Sequence, residues 1–127
     1  MRLVAVILAV SALTIQAARG DEVHHTSFAA ALVGTWAQRA EFCATADKSN
    51  IAIAATAYVD ADGTCSVETI VERAGAPGPI YSARARCTDA SGKFHVVDLI
   101  VRTEDGDKVS MGTTFNDLKI YQRCPAK

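Results

Sequence analysis

The sequence predicts an all-β domain: a small antiparallel up-and-down barrel of about seven to eight short strands, with one short helix at its N-terminal side. Three observations predict it. Runs rich in β-branched and aromatic residues recur along the chain, most of them closed by Gly, Pro or Asp. The intervals between runs leave no room for crossover helices, so neighbouring strands pair antiparallel. Four cysteines stand in or beside these runs, an even number that suits a disulfide framework.

Ahead of the domain, Met1-Arg2 leads into an apolar run from Leu3 to Ile15, then a zone of small residues at Ala17, Ala18 and Gly20. That order is expected of a secretory signal peptide over residues 1–20. The run is shorter than the ~20 residues that span a bilayer, so no stable membrane anchor is expected. No cysteine follows to carry a lipid, and no Arg-Arg pair marks the twin-arginine route. Residues 21–127 then form one disulfide-stapled domain, periplasmic or secreted. A net charge of −1 gives no electrostatic case for binding nucleic acid or anionic lipid.

The elements follow in order. Asp21 to His25 is polar and reads as a loose arm. Ser27 can cap a short helix over Phe28 to Val33, which Gly34 ends. Gly34 to Phe42 is the first strand, favoured by Thr35, Trp36 and Phe42. Ile51 to Val59 is the second, and Asp60-Ala61-Asp62-Gly63 turns the chain into Cys65 to Arg73. Gly75 to Pro79 cannot extend a strand, because proline has no ladder donor. Ile80 to Cys87, Phe94 to Arg102, Lys108 to Phe115 and Lys119 to Cys124 complete the meander. Closure into a barrel removes the unpaired edges.

The meander chooses among the three pairings open to four cysteines. If the first strand runs upward, Cys43 ends it at the top. Cys65 opens the third strand at the bottom, Cys87 ends the fourth at the bottom, and Cys124 ends the last at the top. Bridged cysteines need a Cα separation of about 4.4–6.8 Å, which opposite ends of a barrel cannot meet. Cys65–Cys87 and Cys43–Cys124 are therefore expected.

Alternation sorts the faces. With Cys65 inside, Val67, Thr69 and Val71 follow it, as do Tyr81, Ala83, Ala85 and Cys87 on the fourth strand and Val97, Leu99 and Val101 on the fifth. Outside, Glu68, Arg84 and Asp98 form a ladder across three strands, read as ordinary cross-strand pairs. The same outer face carries Ile70, Phe94, Val96 and Ile100, which a solvated face does not need. This candidate patch implies either a partner or a cover, such as the Phe28 to Val33 helix.

No catalytic or cofactor motif occurs: no G-x-S-x-G, H-E-x-x-H, P-loop or G-x-G-x-x-G. No cofactor, metal or enzymatic activity is expected. Asp60 to Gly63 echoes a calcium loop, but its glycine comes too early and flanking helices are missing. His24 and His25 lie beside two acids on the arm and could hold a transition metal weakly, but a loose arm is the expected reading.

Leu32-Val33-Gly34-Thr35-Trp36 resembles the opening of lipocalin-like proteins, in which G-x-W begins the first strand. The resemblance implies that Trp36 closes one end of the barrel. Among small exported bacterial members it points to Inh-type periplasmic inhibitors of metalloproteases, which insert an N-terminal arm into the protease. The expected function is an exported module that binds or inhibits another protein, since a barrel this small fills with side chains. The alternative is a carrier of a small apolar ligand, in a cup lined by Trp36, Tyr58 and Tyr81.

Overall fold

The structure is a computed structural model and describes residues 22–126, so the expected signal peptide lies outside the described residues. Its nine strands are β1 (Val23–His25), β2 (Gly34–Ala37), β3 (Ile51–Ile53), β4 (Ala57–Asp60), β5 (Gly63–Arg73), β6 (Ile80–Thr88), β7 (Phe94–Thr103), β8 (Lys108–Gly112) and β9 (Lys119–Arg123). One α-helix, α1 (Ala40–Thr45), follows β2. From β2 to β9 each strand pairs antiparallel with the next, β9 pairs back onto β2, and the barrel is closed. β1 is an extra strand, laid on the outer half of β5 through Val23–Glu72, His24–Val71 and His25–Ile70.

Four boundaries differ from the sequence reading, each for a local reason. The arm is not loose. β5 runs past the end of β4, and β1 takes the vacant edge, held by His25 Nε2 to Glu72 Oε1 at 3.0 Å and Arg73 to Glu22 at 2.9 Å. The expected Phe28 to Val33 helix is only a 3-10 turn at Ala30–Leu32 without a side-chain cap, because so short a segment cannot offset helix nucleation. Phe28 and Leu32 are nevertheless both buried in the core. The first strand stops at Ala37, and helix-forming Ala40, Glu41 and Ala44 take over as α1, which ends at Ala46 in the left-handed region, φ 50°.

The second expected strand is a hairpin of two. Ala54 N–H donates to the Ala57 carbonyl at 2.8 Å and reverses the chain within Ile51 to Val59. That split makes the number of barrel strands even. An even count is what lets first and last strands meet antiparallel, as β2 and β9 do.

Both expected bridges form, Cys65–Cys87 and Cys43–Cys124, with Cα separations of 4.0 and 5.5 Å. Cys65 and Cys87 face each other directly across β5 and β6. The second bridge is reached by another route than the one expected. β9 descends rather than rises, so Cys124 lies beside the start of β2, its N–H donating to the Thr35 carbonyl at 2.8 Å. Cys43 is not at a strand end; α1 turns back along β2 and delivers it there.

The barrel is filled. Tyr58, Ile70, Met111, Val101 and Cys65 are fully buried in its core. The base is shut by Trp36, 3% exposed, whose Nε1–H donates to the Leu32 carbonyl at 2.9 Å. Arg123 stacks on the Trp36 ring with its guanidinium carbon 4.4 Å from the ring centre, and donates to the carbonyls of Val33 and Ala31. One cation thus ties the last strand, the plug and the 3-10 turn together.

Candidate functional site

The structure divides the candidate patch. Ile70 is 0% exposed and points into the barrel. A bulge between Val67 and Thr69 on β5 inserts Glu68 and reverses the alternation beyond it, so Ile70 turns inward while Thr69 becomes exposed and Val71 half-buried. Ile100 keeps its outward register opposite Ser82 and Gly112 but is 6% exposed. Its surroundings are Thr113 to Phe115, with which it shares a groove on the outer face. No residue of the Phe28 to Val33 segment lines that groove.

Phe94 and Val96 stay exposed, at 69% and 52%. They stand on the first half of β7, opposite Thr88 and Arg86 of β6. The Arg86 guanidinium carbon lies 5.8 Å from the Phe94 ring centre and its Nε 3.9 Å from Glu68 Oε1. The bulge therefore changes the ladder too: Arg84 and Asp98 are direct neighbours, but Glu68 pairs toward Arg86. Phe115, also exposed, lies across the Ile100 groove from Arg84 and Asp98. Sequence reasoning had assigned Phe115 to the end of a strand; the glycine at 112, where the chain leaves the sheet, was the available signal.

At the barrel mouth, Leu99 and Met111 form the floor of a depression rimmed by Asp60, Asp62 and Asp117, with Lys119 beside them. Tyr58 and Tyr81 do not line a cup there; both are buried in the core. The Tyr58 hydroxyl donates to Cys87 Sγ at 3.8 Å. Burial pushes its pKa far above the ordinary tyrosine range, and the charges of Asp60 and Asp98 push the same way. A raised folded-state pKa stabilises the protein fully below the unfolded value of 10.0, and that contribution is lost as pH climbs from there toward the folded value. Tyr58 phenolate is accordingly expected only as the protein unfolds, which ultraviolet absorbance and circular dichroism followed together against pH will check.

On the opposite side, a groove of about 1030 Å³ runs between α1, the start of β2 and the C-terminal residues after Cys124. The β6–β7 turn is set by Asp89, whose carboxylate accepts from Ser91 Oγ at 2.6 Å and from the Ser91 and Lys93 amides. Those bonds hold its pKa below the usual carboxylate value. His24 and His25 are on β1, and no group of three His, Cys, Asp or Glu side chains able to hold a metal is gathered among the described residues. No helix among them is long and apolar enough to cross a membrane. Comparison with protein families, curated proteins and solved structures returns no match to this chain.

Proposed function

We propose that the protein is an exported binding module that binds, and by binding can inhibit, another protein through the outer end of the β6–β7 hairpin. The observation that carries this reading is the exposure of Phe94 and Val96 side by side on a regular strand, with Arg86 against the Phe94 ring. Aromatic and arginine side chains on a rigid element are the usual anchors of protein interfaces. Export through a cleaved signal over residues 1–20, to the periplasm or beyond, is supported by the two disulfides. The Trp36 plug supports the lipocalin-like resemblance. In Inh-type inhibitors the N-terminal arm is the inserting element. Here β1 is hydrogen-bonded into the sheet, which favours the hairpin over the arm.

The carrier reading has less support, because Trp36, Tyr58 and Tyr81 are core residues rather than cup walls. The test is the double variant Phe94→Asp, Val96→Asp. Both side chains are exposed, so stability should change by no more than about 0.5 kcal/mol per site. Capture of an exported protein partner by the immobilised chain should be lost. Undiminished capture by this variant, or purified protein that carries lipid and no protein, contradicts the proposal.

A further inference from the structure

β7 is paired on its β6 side from Phe94 to Arg102, but on the other side β8 meets only Ile100 to Thr103. β8 stops there because Gly112 turns the chain out into the 3-10 turn Phe115–Asp117. A Cβ at Gly112 would stand 2.7 Å from the Asp117 carbonyl oxygen, so the departure requires glycine. On the β8 side, residues Phe94 to Leu99 are thereby left as a strand edge with no backbone partner among the described residues. Edges that must stay free are usually blunted by lysine, proline or a bulge. Phe94 to Leu99 contains none of these, its one carboxylate being Asp98 opposite Arg84, and its pairing with β6 is unbroken.

We propose that this edge takes up an extended segment of another protein along the line that β8 abandons. The segment carries apolar side chains on its outer side and basic side chains toward the barrel mouth. This rests on the protein-binding reading above and names its chemistry. Backbone N–H and C=O groups of the edge supply the pairing, and alternate side chains supply specificity. On the outer side the segment continues the apolar surface of Phe94 and Val96. On the other side Leu99 borders the mouth, where the carboxylates of Asp60, Asp62 and Asp117 outnumber the single ammonium of Lys119. Lysine or arginine at the mouthward positions complements that excess. A second copy of the chain is the poorer occupant, since pairing two such edges sets two acidic mouths side by side.

The test uses the full exported protein and three short synthetic peptides: alternating Lys and Val, the same with Glu for Lys, and the Lys-Val peptide N-methylated at alternate amides. The Lys-Val peptide should protect the amides of Phe94 to Leu99 from hydrogen exchange. Its affinity should drop about tenfold or more with Glu for Lys and fall with added salt. N-methylation on the pairing side should abolish it. Equal binding of the Glu peptide overturns the charge assignment, and equal binding of the methylated peptide overturns strand addition. Self-association that Val96→Asp removes would make the second copy the occupant. If no peptide binds while the Phe94→Asp, Val96→Asp variant still loses its protein partner, strand addition fails and the protein-binding reading stands. If that variant keeps its partner, both fail.

Discussion

Trp36→Ala is expected to cost ~3–5 kcal/mol of folding stability, the range for truncating a large buried aromatic side chain. The loss has three sources. The indole leaves a cavity at the barrel base, where Leu32 and Phe28 are also buried. The Leu32 carbonyl loses its donor at 2.9 Å. The Arg123 guanidinium loses the ring beneath it, 4.4 Å away, while still reaching for Val33 and Ala31. Urea unfolding followed by circular dichroism will measure the shift. A loss near zero would mean that Trp36 lines an empty cup rather than plugging the base, and would revive the carrier reading.

The second large effect belongs to the bridges. Cys43–Cys124 spans 81 residues and Cys65–Cys87 spans 22. By loop-closure entropy, replacing the first pair by serine costs ~4.5 kcal/mol and the second ~3.4 kcal/mol. Their consequences also differ in kind. The long bridge fastens α1 to the end of β9 outside the barrel, whereas the short one joins two strands already paired along their length. Loss of the long bridge should therefore release α1 to hydrogen exchange first, while loss of the short one lowers stability without freeing any one element. The reverse order of stability loss would show that the folded-state packing around each bridge, not the entropy of the unfolded chain, dominates.

The class of fold was legible because it rests on repetition. Short β-rich runs, turn residues between them and an even cysteine count survive errors at any single boundary. What failed were elements without a punctuating residue. Ile51 to Val59 contains neither Gly nor Pro, so the reversal at Ala54 to Thr56 left no mark, and one strand was read for two. Ala40 to Thr45 has helix formers beside Phe42 and Cys43, whose strand preference suggested the opposite. The Glu68 bulge is invisible to alternation, since a single inserted residue exchanges inside and outside for everything after it. That is why Ile70 was placed on a surface from which it is excluded.

The pairing of the cysteines was nevertheless right. Two of its premises, an odd strand count and Cys43 at a strand end, were replaced by an even count and a reversing helix, and the replacements compensate. The candidate patch was half legible: Phe94 and Val96 lie before any irregularity on β7 and keep their exposure. Ile100 lies where β8 ends, beside a loop whose path only Gly112 announces. The open edge of β7 could not be read at all, because it arises from where β8 stops rather than from any residue of β7.

The central claim is that the outer end of the β6–β7 hairpin, not the barrel interior, is the working surface. It is tested most directly by a photo-activatable phenylalanine analogue placed singly at position 94, at 59 or at 120. All three positions are exposed apolar sites, so stability is equally little disturbed. Irradiation of cells that produce the protein should give one dominant protein adduct from position 94 and none from 59 or 120. Adducts from 59 or 120 in the absence of any from 94 would contradict the claim.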